Sequence, residues 1–196
     1  MGENLPSGLN GNEHLHPLIQ GLKNDTVLDF WQWAFSNLQA NDVRGIFAEW
    51  LIAKLLDIPL NVRDSWIEWD LMTSEGVKIE VKTSAYLQTW SQKRPSQIVF
   101  TGLKGRKLDS ETNQYAREAT YNADIYVFCV QIEQDPNKWD ALDLEQWRFY
   151  LLLKEQIERL NQKSLSLKPL TKISQEMTAD EFRQEAIKLI SSLTIA

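Results

Sequence analysis

Glu80-Val81-Lys82 is the one place in the chain where an acidic residue stands two positions before a lysine. It falls within Val77 to Ser84, where residue types alternate as in a strand. Val77, Ile79, Val81 and Thr83 share one face, and Lys78, Glu80, Lys82 and Ser84 share the other. Ser65 to Met72 alternates in the same way, with Trp66, Glu68, Asp70 and Met72 on one side. Between the two, Thr73-Ser74-Glu75-Gly76 reads as a turn, and Gly76 suits the left-handed position that ends a three-residue hairpin loop. With Ser74-Glu75-Gly76 as that loop, Thr73 pairs with Val77 and Asp70 comes opposite Glu80. A four-residue loop would put Asp70 opposite Ile79 and the two carboxylates on different faces.

Two carboxylates facing each other across adjacent strands repel, and burying both is costly without a cation between them. A hard divalent ion resolves the conflict: Mg²⁺ takes oxygen ligands and leaves positions for water and phosphate. Lys82 projects from the same face as Glu80, about 7 Å along the strand. From there an ammonium group can orient an attacking water and offset charge developing on a phosphate. Glu49 would add a third carboxylate. It stands in Gly45 to Leu56, a segment apolar almost all round, and its helical neighbours Gly45, Ile46, Ile52 and Ala53 cannot pair with it.

Other routes to catalysis are closed by composition. The chain has two histidines, His14 and His16, and one cysteine. Both histidines sit in a Gly/Asn/Pro-rich leader, Ser7 to Pro17, that reads as flexible. Histidine-based triads, Cys-His pairs and Cys-rich metal sites are therefore excluded, and acid–base and metal chemistry falls to carboxylates and lysine. The single cysteine also excludes an internal disulfide and points to a reducing, cytoplasmic compartment. No run of apolar residues is long enough to span a membrane, and the first fifteen residues have no secretory pattern.

The elements that must position these groups can be read along the chain. With 196 residues, 43% of them hydrophobic, there is material for one domain with a packed core. The expected organisation is a leader over 1–24 and a single domain over 25–196. Thr26 to Leu38 and Asn41 to about Leu56 read as helices, the first burying Val27, Phe30, Trp31, Ala34, Phe35 and Leu38. After the two strands come a third over Gln97 to Leu103 and a short helix over Asp109 to Tyr121. Asp124 to Gln131 reads as a strand buried on both faces, and Trp147 to Leu153 as another, followed by a helix around Lys154 to Asn161. Thr178-Ala179-Asp180-Glu181 is a capping box opening a final helix, with Phe182, Ala186, Leu189 and Leu193 inward. The class is mixed α/β.

Net charge is -6, yet Val81 to Leu108 contains no Asp or Glu and carries Lys82, Lys93, Arg94, Lys104, Arg106 and Lys107. An acidic protein with such a segment can still present a basic groove, because phosphate responds to local potential. Trp90 lies inside this segment as a candidate base-stacking residue, whereas Trp31, Trp50 and Trp69 sit within apolar faces and read as core.

Asp70, then Glu80-Val81-Lys82 after nine intervening residues, with Glu49 on the preceding helix, resembles the PD-(D/E)xK nuclease superfamily, the restriction-endonuclease-like fold. Trp69 stands where the motif has its proline. The resemblance implies an α-β-β-β-α-β core over about 42–131, a mixed sheet flanked by helices, with a further C-terminal strand and helices. It implies that Asp70, Glu80 and the carbonyl of Val81 bind Mg²⁺, with Mn²⁺ as a substitute, that Lys82 helps activate water, and that Glu49 completes the site. The reaction would be phosphodiester hydrolysis in DNA, less often RNA, with Lys93, Arg94, Lys104, Arg106, Lys107 and Trp90 on the nucleic acid. A homodimer suits the cutting of two strands, and no membrane partner is expected. The alternatives are a non-catalytic nucleic-acid-binding or interaction domain of the same fold, a cross-strand ion pair between Glu68 and Lys82, and a salt bridge from Glu49 to Arg44 or Arg63.

Overall fold

A run of seven apolar or uncharged residues, Ile125–Gln131, becomes the strand around which the chain is built, and every one of its residues is buried. In the computed structural model, which describes residues 8–16, 24–109, 112 and 114–195, the elements follow in this order. Helix α1 (Val27–Phe35) and helix α2 (Asn41–Leu55) precede β1 (Leu71–Met72), β2 (Lys78–Ala85) and β3 (Val99–Thr101). Two short strands, β4 (Leu108–Asp109) and β5 (Gln114–Tyr115), lead to β6 (Ile125–Gln131) and β7 (Trp147–Leu153). Helix α3 (Lys154–Leu160), β8 (Ser164–Ser166), α4 (Leu167–Leu170) and α5 (Ala179–Ile195) complete the chain.

The main sheet has the order β1-β2-β6-β7, with β2 and β6 parallel and the outer pairs antiparallel, which makes it mixed. Alternation along β2, β6 and β7 supplies two apolar faces. Ile79, Val81, Ile125, Val127, Cys129, Trp147 and Phe149 pack on one side with Ala48, Leu51 and Ile52 of α2 and Phe182 and Ala186 of α5. Tyr126, Phe128, Val130, Tyr150 and Leu152 pack on the other with Phe100 and Leu103, Ile157 of α3, and Leu165 and Leu170. Each fully buried large side chain contributes about 1.5–3 kcal/mol, so the two cores hold the sheet from both sides. The Thr178 capping box opens α5: the Thr178 N–H donates to Glu181 at 2.8 Å and the Glu181 N–H to Thr178 Oγ1 at 3.4 Å. Ile190 is buried on this helix, and Leu193 faces outward.

Several expectations are corrected. β3 does not extend the sheet beside β2, because the free edge of β2 is taken by β6; it pairs with β8 in a separate layer. There Phe100 packs edge-on to Phe128, 4.9 Å between ring centroids. No helix forms over the described part of 109–121, where β4 and β5 pair instead. A helix here would have had little more than Tyr115, Ala116, Ala119 and Tyr121 to bury; Tyr115 is exposed, and Tyr121 is buried without a helix. The expected α-β-β-β-α-β succession thus lacks its third sheet strand and its second helix. Ser65 to Asp70 is turn and bend, not strand: the Asp64 carboxylate accepts from the Trp66 N–H at 2.8 Å and curls the backbone.

α1 buries none of its residues, and Leu28, Phe30, Trp33 and Phe35 are exposed. α2 likewise leaves Trp50 about half exposed, so neither helix is enclosed to the degree its composition suggests. The described part of the leader, 8–16, is bonded to the start of α1, with the Val27 and Leu28 N–H groups donating to Glu13 and Gly11 carbonyls. The rest of that leader lies outside the described residues. Among the described residues no helix is long and apolar enough to cross a membrane.

Candidate active site

The hairpin between β1 and β2 has the expected three-residue loop, Ser74 to Gly76. Leu71 pairs with Ile79 and Met72 with Lys78. The Thr73 N–H donates to Val77 at 3.0 Å, and Gly76 takes a φ of +87°. That left-handed conformation is nearly free for glycine and strained for other residues. A ladder continued from Leu71 would bring Asp70 opposite Glu80, but the register ends at Leu71.

The ladder changes character at this point. The Asp70 N–H donates to the carbonyl of Ile79 at 3.1 Å, one position out of step, and the chain leaves the sheet. Its side chain then takes over: Asp70 Oδ2 accepts from the Val81 N–H at 2.7 Å, where a continuing strand would have offered a carbonyl. A strand residue turns its N–H and C=O to the same side. The carbonyl of Val81 therefore faces the edge at which the Asp70 carboxylate sits.

Glu80 and Lys82 point to one face of β2, as alternation requires, and Lys82 Nζ lies 2.5 Å from Glu80 Oε1. Glu49 reaches the site from α2. The left-handed Asp57 (φ 54°) reverses the chain at the end of that helix and sends the following segment back along it. Arg63 then grips Glu49 with both arms, Nε–Oε2 at 2.5 Å and Nη2–Oε1 at 2.8 Å. Of the two arginines considered for Glu49, Arg63 is the partner; Arg44 is buried elsewhere, donating to Gln39 and Asn41. The Glu68–Lys82 ladder pair does not form. β1 ends too soon to carry it, and Glu68 pairs with Lys107 at 3.5 Å.

Three carboxylates thus meet two cations around Asp70. Burial, then Glu80 and Glu49, push the Asp70 carboxyl up to about 7, opposed by the Val81 N–H and Lys82. Burial also raises Glu80, opposed by Lys82. A fold that crowds carboxylate oxygens until one prefers to stay protonated has a donor set suited to a hard cation: all oxygen, in excess of its local positive charge. The side chains are not gathered as a ready cage, because each carboxylate has a protein partner. Among the described residues no group of three or more His, Cys, Asp and Glu is placed to hold a metal. Seating an ion would require Glu80 to exchange Lys82 for it.

The basic segment divides into two parts. The turn after β3, Gly102 to Lys107, passes beside the site: a side-chain carbon at Gly102, where φ is +66°, would lie 3.8 Å from Lys82 Nζ. Lys104 there donates to Asn161 at 2.8 Å and sits over the Tyr121 ring, while Arg106 and Lys107 are exposed. Trp90, Lys93 and Arg94 belong to a loop beyond the C-terminal end of β2, closed by the Ser96 N–H donating to Tyr86 at 2.8 Å. All three are exposed.

Residues that the sequence reading did not place at the site include Gly102, which lets backbone approach Lys82, and Trp69, whose ring lies 4.2 Å from the Lys78 ammonium. Arg63 is named by the sequence as one of two arginines for Glu49, with nothing in the uncharged stretch Ile58 to Val62 before it to choose it over Arg44. No protein-family model and no curated protein sequence matches this chain.

Proposed function

We propose that this protein is a metal-dependent nuclease of restriction-endonuclease-like architecture that hydrolyses phosphodiester bonds in DNA. The observation that carries the reading is the Asp70 carboxylate on the Val81 N–H, at the edge of the strand whose face carries Glu80 and Lys82. Asp70, Glu80 and the Val81 carbonyl would hold Mg²⁺, with Glu49 behind them. When bound, Mg²⁺ supplies a Lewis acid for the phosphate and neutralises charge that develops there. Lys82, released from Glu80, presents an ammonium to the attacking water or to a phosphate oxygen. The bare backbone at Gly102 leaves room for a phosphate to reach it.

The missing third sheet strand and second helix lie outside the hairpin and α2; the early end of β1 does reach the site, and there the Val81 N–H holds the Asp70 carboxylate in place of a ladder bond. Incubation of single- and double-stranded DNA and RNA with Mg²⁺, and in parallel with EDTA, tests the reading. Cleavage of DNA is expected with Mg²⁺, none with EDTA, and none by Glu80→Ala. One observation favours a second reading, a non-catalytic nucleic-acid-binding domain: Glu49 and Glu80 are already neutralised by Arg63 and Lys82. That reading predicts binding without turnover under every metal condition.

A further inference from the structure

A cleft of about 380 Å³ opens beside the carboxylates, with Asp70, Glu49 and Arg63 along its polar side. Asn61 and Asp64 add to that polar side, and the rest of the wall is apolar and aromatic, with Ile46, Trp50, Val62, Ile67, Trp69 and Met72 foremost. Trp50, Val62, Ile67 and Met72 are each about half exposed, at 47%, 52%, 49% and 49%. So much apolar surface on four neighbouring residues costs free energy in water and marks a place that something covers. Trp50 is stacked on Phe47 at 5.7 Å between centroids with the Lys54 ammonium 5.9 Å from its ring, and Trp69 carries the Lys78 ammonium at 4.2 Å, so both indoles are held in place before any ligand arrives and a base meets the parts of them left open to the cleft.

We infer that this cleft takes an unstacked nucleobase next to the phosphate being cut, so that the substrate is single-stranded or locally unpaired nucleic acid and not continuous duplex. The inference rests on the nuclease reading for its choice of polymer. Asp70 belongs both to the cleft wall and to the carboxylate cluster, so whatever occupies the cleft lies within a side chain's length of the reacting group. In a duplex the base faces are covered by their neighbours and offer nothing to an indole. An unpaired base exposes a π-face, and stacking on an aromatic side chain contributes about 1–3 kcal/mol per base. The volume is within the range of small-ligand pockets, about 300–1,000 Å³.

The test uses the full chain with Ca²⁺ in place of Mg²⁺ and reads fluorescence anisotropy of three labelled probes. These are a 12-nucleotide single strand, the same strand with abasic positions throughout, and a blunt duplex of the same sequence. The single strand should bind at least about 10-fold more tightly than the duplex. Trp50→Ala and, independently, Ile67→Glu should each weaken it by about 5-fold or more while leaving the abasic strand unchanged. Ile67 lies on an exposed turn, so its variant keeps the test valid should loss of Trp50 disturb α2.

Equal affinity for strand and duplex, or both variants within twofold of wild type on the single strand, would overturn the inference. Mg²⁺-dependent cleavage of duplex that both variants retain in full would overturn it too, with the nuclease reading intact. Single-strand binding sensitive to Trp50 and Ile67, with no cleavage of any substrate, would uphold the cleft and remove the nuclease.

Discussion

At Asp70 a carboxylate is held against the N–H of Val81 while Glu80 and Glu49 press on it and Lys82 and Arg63 stand opposite. Its pKa, near 7 in the fold against an ordinary 3.8, sets a sign for stability. Between those values the folded chain holds a proton that the unfolded chain has lost. Stability from this group is therefore full below about pH 4, declines as pH rises, and is gone above 7. Urea unfolding in EDTA at pH 5 and pH 8 should show wild type losing about 2–3 kcal/mol more than Asp70→Asn over that interval. Equal losses in the two proteins would contradict the burial and crowding described for Asp70. Lys82 carries a separate expectation. Lys82→Ala should slow cleavage by about 10²–10³-fold, the effect of losing one charge-stabilising donor, and leave nucleic-acid affinity within about twofold. Unchanged cleavage would take Lys82 out of the chemistry.

The hairpin is the element that turns these residues into a site, and Gly76 fixes its register. Gly76→Ala must adopt a φ of +87° with a Cβ, at a cost of about 1–2 kcal/mol. Thermal unfolding should show that loss, and cleavage should fall with it as Asp70 slips from Glu80; a variant as stable and active as wild type would mean that the loop does not set the register. This register was legible in the sequence because a glycine at a fixed offset and an alternating pattern on both sides point to one pairing. β6 and β7 were legible for a similar reason: long apolar runs leave few ways to be buried. What stayed hidden depends on distant partners. β3 has the same local pattern whether it joins β2 or lies across the sheet on Phe128, and only β6, arriving later in the chain, decides between them. Asp109 to Tyr121 reads as a short helix, but it has little apolar surface with which to dock one. Ser65 to Asp70 alternates like a strand, yet the Asp64 turn and the departure at Asp70 pull it from the ladder. Arg63 could be named as a partner for Glu49 but not chosen over Arg44, since the reversal at Asp57 is what brings it back along α2.

Across the whole molecule, charge is arranged against the overall balance. The chain is acidic at -6, and its longest stretch without acids borders the carboxylate site on one side and forms a separate exposed loop on the other. Lys93 and Arg94 lie in that loop, away from the hairpin, so their contribution should be to any phosphate backbone and not to a particular base. Replacing both by alanine should weaken binding of every nucleic acid by a similar factor and flatten the salt dependence by about one to two counterions. A selective loss for one substrate, or an unchanged slope, would place the backbone contact elsewhere. The account as a whole depends on Asp70, Glu80 and the Val81 carbonyl closing on one hard cation at the edge of β2. A crystal grown with Mn²⁺ and measured for anomalous scattering tests this most directly. The account predicts a peak within coordinating distance of Asp70, Glu80 and the carbonyl of Val81, with Lys82 turned away from Glu80. A Lys82–Glu80 pair still closed at saturating Mn²⁺, with no peak between Asp70 and Glu80, would contradict it.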